Sequence, residues 1–398
     1  MKIKNILLSL SLSGCLLTSQ AQTSPQSQLP DRIMLTWSAD PSTTQTVSWR
    51  SFNPSDKIIG QIVEEQSNPE LETAALTVTG TQDLLKRETG ASDVYRQVTF
   101  TDLKPGTIYA YRVGDGENWS SWNQFRTADQ KGDFSFIYLG DAQNDLRSRW
   151  SRSIRKAFQQ EPNARFIVHA GDLINRTNTD SEWGEWYEGA GFIHQMIPAV
   201  PTPGNHEYRR DSLRNLVLDP HWKVQFPMPK NGPEGFQDAV YYLDYQDLRV
   251  ISLNSQLIML DSLAAITQRD WLEKTLASSK KTWNIVVMHH PVYSTAKNRE
   301  NTILMEQFKP IFDKYGVDLV LQGHDHTYAR GAVGSQRPVY LLSVAGPKMY
   351  DSDSERWMEK YTSNTQLYQV IRITNDKIHF SSYKLTGELF DSFELPKK

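Results

Sequence analysis

From residue 32 onward, apolar side chains alternate with polar ones. Ile33, Leu35 and Trp37 share one face of residues 32–38, and Val47 and Trp49 share one face of residues 44–50. A period of two is the mark of a half-buried β-strand. Further strands are predicted at 58–65, 73–79, 95–100, 108–113 and 122–127. Turn chemistry separates them at Asp40-Pro41-Ser42, Lys104-Pro105-Gly106 and Gly114-Asp115-Gly116. Short strands at roughly ten-residue spacing predict an all-β sandwich over residues 30–128. Trp119 and Trp122 read as part of its core. This stretch holds no cluster of acids, bases or metal-ligating residues, so it reads as a packing or binding module.

The rhythm changes near residue 134. Apolar runs at 134–139, 166–170, 283–288 and 317–321 are interrupted by stretches with helical character, such as 153–158. This pattern predicts αβ units around a largely buried sheet. More strands are expected at 340–344, 367–373, 377–383 and 389–395. The chain therefore reads as two domains, 30–128 and 134–398, joined near 129–133.

Residues 1–21 have a different layout. Lys2 and Lys4 precede an apolar run over 6–17, and Ser19-Gln20-Ala21 follows with small residues two apart. This is the plan of a secretory signal peptide, with cleavage after Ala21. The run is too short to span a bilayer, which takes about 20 residues. The expectation is export to the periplasm or the medium. Leu12-Ser13-Gly14-Cys15 also resembles a lipoprotein acylation site, so an anchor through Cys15 is the alternative. Cys15 is the single cysteine of the 398 residues, which excludes an intrachain disulfide and a cysteine-built metal site. Lys and Arg total 43 against 46 Asp and Glu, a formal net charge of −3. That balance lacks the basic field of a nucleic-acid-binding protein.

Candidate chemistry gathers where the apolar runs end. Gly140-Asp141, Gly171-Asp172, His289-His290-Pro291 and Gly323-His324-Asp325-His326 each follow such a run, and Gly204-Asn205-His206-Glu207 lies in a loop. The carboxyl edge of an open α/β sheet is where ligands bind. Carboxylates, imidazoles and an amide oxygen form a nitrogen/oxygen donor set suited to zinc, manganese or iron.

These five segments, in this order, resemble the calcineurin-like metallophosphoesterases, and most of all their purple-acid-phosphatase-like branch. Residues 41–49 and 103–114 are similar to the fibronectin-III-like amino-terminal domain of that branch, so the resemblance covers about residues 30–395. It implies a four-layer αββα sandwich behind an all-β domain. It implies two divalent metal ions, bridged by Asp172. Asp141 and His326 complete the first metal's ligands, and Asn205, His289 and His324 bind the second. His206 and Asp172 are the implied catalytic residues, a metal-bridging hydroxide attacking phosphorus in line while His206 meets the phosphate and assists the leaving group. A phosphate monoester is the implied substrate. Diesters, polyphosphorylated substrates and a non-catalytic surface-binding role are the alternatives.

Two positions depart from the family pattern. Asn175 stands where purple members have their iron-binding tyrosine, so a ferric-tyrosinate colour is not expected. Gln143 stands where many other members have histidine, and its amide is a candidate neutral ligand of the first metal. His290 and Arg330 are candidate substrate contacts. Glu207 reads as the anchor of the loop that carries Asn205 and His206.

Overall fold

The computed structural model describes residues 29–52, 57–87, 90 and 92–398. The predicted signal segment, with Cys15 and Ala21, lies outside the described residues. No helix among the described residues is long and apolar enough to cross a membrane.

Eight strands form an amino-terminal sandwich. They are β1 (Asp31–Thr36), β2 (Gln45–Ser51), β3 (Ile59–Glu64), β4 (Leu76–Thr79), β5 (Thr81–Lys86), β6 (Ser92–Phe100), β7 (Ile108–Gly114) and β8 (Asn123–Arg126). One antiparallel sheet runs β1-β2-β6-β5 and the other β4-β3-β7-β8. Ile33, Leu35, Val47, Trp49, Val98, Phe100, Tyr111 and Phe125 close the space between them. Strand β5 is absent from the sequence reading because only Leu85 in it is buried, leaving no alternation to detect. Trp119 and Trp122 are not core residues. Both are half-buried and flank the Arg112 guanidinium, at 4.3 and 4.7 Å from their ring centres, because a planar cation on an aromatic face can stay at the surface.

Strand β1 departs from a half-buried strand. Its register slips between Asp31 and Met34, and Arg32 adopts φ 51°. Ile33 and Leu35 stay in the sandwich, whereas Met34 and Trp37 join the core of the carboxy-terminal body. Trp37 lies 6.0 Å from Phe166 and 5.7 Å from Tyr245, ring to ring.

The body contains two large sheets. Strands β9 (Phe134–Leu139), β10 (Ile167–Ala170) and β11 (Ala199–Thr202) are parallel neighbours. A small hairpin, β12 (Tyr208–Arg210) with β13 (Leu216–Leu218), follows. The second sheet is built from β14 (Tyr241–Tyr245), β15 (Leu248–Leu253), β16 (Trp283–Met288), β17 (Leu319–Gln322), β18 (Tyr328–Ala332), β19 (Val339–Leu342) and β20 (Lys360–Thr362). Strands β21 (Leu367–Ile373), β22 (Lys377–Lys384) and β23 (Leu389–Pro396) return to the first sheet, giving the order β11-β10-β9-β21-β22-β23. The other order is β14-β15-β16-β17-β19-β18-β20.

Alternation explains the layers. Ile285, Val287, Leu319 and Leu321 point into the core shared by the two sheets. Val286, Met288 and Val320 point the other way, onto helices 262–277 and 309–315. Helix α1 (Ser151–Gln160) and helix α2 (Asp180–Ala190) belong to the first sheet's side, with α1 packed on β9 and β21. The result is helix, sheet, sheet, helix. Parallel strands buried on both faces read as continuous apolar runs, which is why β9 and β16 were visible in the sequence.

Candidate metal centre

All six expected ligand residues come together. Asp141 follows β9, Asp172 follows β10, Asn205 follows β11, His289 follows β16, and His324 and His326 follow β17. They form two groups that share one residue. Asp172, His289 and His324 make one, and Asp141, Asp172 and His326 the other, with the donor atoms of each group within 4.8 Å of one another.

The backbone at these strand ends is strained. Asp141, Asp172, His324 and His326 have φ of 48°, 52°, 74° and 51°. Non-glycine residues in the left-handed region are sparse and cluster at functional sites. Close approach accounts for two glycines. A Cβ on Gly171 would lie 2.5 Å from His289 Nδ1, and one on Gly204 would lie 2.2 Å from Asp172 Oδ1.

Hydrogen bonds fix which ring nitrogen faces inward. His289 donates its Nδ1–H to the Ala170 carbonyl (2.9 Å), and His326 donates its own to the Lys348 carbonyl (2.9 Å). Each is left with an Nε2 lone pair for the site, the usual arrangement of metal-binding imidazoles. His289 Nε2 lies 3.1 Å from Asn205 Oδ1, 3.1 Å from His324 Nδ1 and 3.2 Å from Asp172 Oδ2. Asp141 accepts the His324 N–H at both carboxylate oxygens (2.9 and 2.8 Å).

The electrostatics call for cations. Burial, with Asp172 nearby, pushes Asp141 well above the usual carboxylate range. Burial also opposes ionisation of Asp172, but a protonated His289, whose own pKa is pushed up against burial to about 9 by Asp172 and Asp141, outweighs it together with His206 and holds this carboxyl below its usual range. A cation bound here would take the place of that proton and free the His289 Nε2 lone pair. Divalent ions at this point would relieve the crowding of two buried carboxylates and inward-facing lone pairs. Gln143 completes the fit. Its Nε2 lies 2.9 Å from Asp172 Oδ2 and 3.1 Å from His326 Nε2, while its buried Oε1 has no hydrogen-bond partner among the described residues. Half a turn of the amide brings that oxygen toward the first group.

Other residues support the centre. Glu207 accepts the backbone N–H groups of Gly204 (2.6 Å), Leu173 (2.7 Å) and Asp172 (3.0 Å). His206 is partly open to solvent, with 24% of its side chain exposed. It donates its backbone N–H to Asp172 Oδ1 (3.0 Å), and its Nε2 stands 3.9 Å from Asp172 Oδ2. Asp325 ties the loop after β16 to the loop after β17. It accepts from Ser294, Thr295 and Arg299. The sequence reading assigned it nothing, since it lay hidden between two stronger ligands.

Two substrate-contact expectations need correction. Arg330 is held by Asp391, at 2.6 and 3.1 Å, and by Glu359. Its charge is taken up by that network, so it has a structural place. His290 is 7% exposed, with Nδ1 3.0 Å from Ser255 Oγ and its ring 4.2 Å from that of His324. Burial, with His289 beside it, pushes its pKa down to about 3. It packs behind His324 as a neutral ring.

A sheet edge that delivers carboxylates, imidazoles and an amide oxygen in two groups sharing one aspartate defines a metal-dependent hydrolase site. The chain carries a calcineurin-like phosphoesterase domain behind a purple acid phosphatase N-terminal domain. Residues 134–328 match that family, and residues 30–127 match the purple acid phosphatase N-terminal domain. Among relatives, acid phosphatase type 7 of Homo sapiens is 25% identical over 342 residues, covering 78% of this chain and 73% of that protein. Purple acid phosphatase 15 of Arabidopsis thaliana is 26% identical over 291 residues, covering 64% and 52%. Purple acid phosphatase PPD1 from yellow lupin seeds superposes with a TM-score of 0.76 at 17% identity, covering 93% of this chain and 74% of that one. PhoD superposes at 0.63 and 10% identity, covering 94% and 93%. The matched domain and the acid phosphatase relatives make the protein a metallophosphoesterase, and the domain's family implies a dinuclear divalent metal centre.

Proposed function

We propose that this protein is an exported phosphomonoesterase. The observation that carries the catalytic part is the pair of donor groups hinged on Asp172. Asp141, Asp172 and His326, with Gln143, would hold one divalent ion; Asp172, Asn205, His289 and His324 would hold the other. Two such ions, when bound, supply Lewis acidity toward a phosphoryl oxygen and a nucleophile at neutral pH.

The chain's own residues supply orientation and a proton. Glu207 locks the backbone of Gly204, Asp172 and Leu173 into one unit, so Asn205 and His206 keep a fixed relation to the bridging aspartate. His206 spends its Nδ1 on the Asn175 carbonyl (2.6 Å). The acid form is therefore the doubly protonated ring, whose Nε2–H passes to a departing alkoxide and leaves the neutral Nδ1–H form; general acid assistance of this kind is worth about 10²–10⁴-fold in rate. The relatives named as acid phosphatases support the monoester reading.

Hydrolysis of p-nitrophenyl phosphate and of its bis-ester, with Mn, Zn or Fe added, tests the substrate class. A faster rate on the bis-ester would overturn the monoester assignment. Export is tested separately, by mass spectrometry of the mature amino terminus. Cleavage after Ala21 or a lipid on Cys15 supports it, and an intact Met1 refutes it.

A further inference from the structure

His206 receives its orientation from a backbone carbonyl, and that carbonyl has a partner of its own. The carbonyl of Asn175 and the N–H of Arg176 belong to one planar peptide unit and point in opposite directions. On one edge, Asn175 O accepts His206 Nδ1–H at 2.6 Å. On the other, Glu182 Oε2 accepts the Arg176 N–H at 2.8 Å, and it accepts the Asn175 N–H at 2.8 Å as well. Glu182 Oε1 takes Arg176 Nε at 3.0 Å. A carboxylate, one peptide group and an imidazole thus lie in series.

We infer that Glu182 is a positioning residue for His206, acting through the Asn175–Arg176 peptide. A peptide plane held on both edges cannot rotate without losing a charge-assisted hydrogen bond on one side and the imidazole bond on the other. The negative carboxylate also polarises the peptide, which makes its carbonyl a stronger acceptor. The relay keeps Nδ1–H bonded to the peptide before and after the proton leaves Nε2, so the neutral ring is the Nδ1–H tautomer with Nε2 turned to the site, the task that a directly bonded carboxylate performs for imidazoles in other hydrolases.

Glu182 is itself held in place. It sits in the first turn of α2, which starts at Asp180. Asp180 is grasped from the sandwich: Arg32 donates to its Oδ1 (2.7 Å) and its carbonyl (2.9 Å), and Arg50 donates to Oδ2 (3.1 Å). The slip in β1 that gives Arg32 its left-handed φ aims its side chain across the boundary, as bulges commonly re-aim a side chain. The sandwich thereby reaches the reaction site through α2, with none of its described residues in the donor groups.

The inference rests on the proposed role of His206, and the test separates the two. In the zinc-loaded protein, imidazole ¹⁵N shifts of the neutral His206 ring should show the Nδ1–H tautomer in the wild type and a tautomer mixture in Glu182→Ala. With an alkyl phosphate, Glu182→Ala should lower kcat by roughly 10-fold or more, in the range of lost supporting contacts. With p-nitrophenyl phosphate, whose leaving group needs little proton assistance, the loss should be smaller. Glu182→Gln keeps an oxygen that accepts both N–H groups and should recover most of the rate. In a His206→Ala background, Glu182→Ala should change kcat by less than about twofold, the non-additivity expected of groups acting as a unit. An Nε2–H tautomer in the wild type overturns the inference without any variant. Equal losses on both substrates, or additive losses in the double variant, overturn it as well. A His206→Ala variant with wild-type rates on the alkyl phosphate would remove the acid role of His206, and the tautomer comparison would still decide what Glu182 does.

Discussion

Asp172 is oriented from three directions. Gln143 donates to its Oδ2, the His206 N–H to its Oδ1, and Glu207 holds its backbone N–H. Asp172→Asn preserves that shape and removes the charge shared by both donor groups. We expect at least a 100-fold loss of phosphatase rate together with a loss of bound metal, since even supporting contacts around a metal cost about 10–100-fold. Arg330→Met provides the contrast. Its guanidinium is held by Asp391 and Glu359, so turnover should stay within about twofold while stability falls. A large rise in KM for that variant would return Arg330 to the substrate. Asn175 offers its carbonyl to His206 and places no phenol beside Asp172. Iron-loaded protein should therefore lack the broad visible band of a tyrosinate–iron centre, and recording that spectrum decides the point.

Strand β10 shows what one element can hide from a sequence reading. Its apolar run was legible as a buried strand, and its terminal Asp172 was legible because Gly171-Asp172 is one of five segments in a set order, a lone Gly-Asp being more often a turn. His169 within it reads as a core or metal-supporting histidine from its place three residues before Asp172, and it is buried, but its partners gave no signal. The structure packs it against His194, ring centres 5.3 Å apart, with His194 stacked on Trp186 at 4.7 Å. Neither ring nitrogen of His194 has a hydrogen-bond partner among the described residues, and burial pushes its pKa down to about 3. The sign of the linkage follows. Below the unfolded value of about 6.5 the unfolded chain takes up a proton that the folded chain refuses, so stability falls as pH drops from about 6.5 toward 3. The slope is about 1.4 kcal/mol per pH unit for this one group. His194→Phe should flatten the acid limb of the denaturation profile and stabilise the protein at pH 5 by about 2 kcal/mol. An unchanged acid limb would count against the assignment. The hairpin β14–β15 escaped the sequence reading for another reason. Its polar Arg249 is buried against Asp244 and over Tyr242, which breaks the apolar run without ending the strand. The bonds from Glu182 to His206 were equally invisible, since they pass through a peptide group that every sequence has.

At the scale of the molecule, the sequence reading drew a boundary near residue 129, and side chains in β1, just after it and at the end of the sandwich cross it. Met34, Trp37 and Ala128 are buried in the same apolar core as the first large sheet. The boundary also carries buried charge. The Arg32 side chain is 4% exposed and pairs with Asp180, which is 20% exposed. Breaking such a pair by removing one partner costs about 3–5 kcal/mol, because the remaining charge stays buried. An interface built this way couples the unfolding of the two lobes. The wild-type chain should therefore melt in one calorimetric transition. Trp37→Ala removes a ring packed on Phe166 and Tyr245, a truncation that costs roughly 3–5 kcal/mol in a filled core. Its site is the boundary itself, so the loss should fall on the coupling and split the transition in two. The sandwich keeps its own core of Ile33, Leu35, Val47 and Trp49 and should melt separately from the body. If Trp37→Ala instead lowers the melting temperature while leaving one sharp transition, the lobes do not possess separate stability, and the boundary read from the strand rhythm would mark a change of architecture within one folding unit.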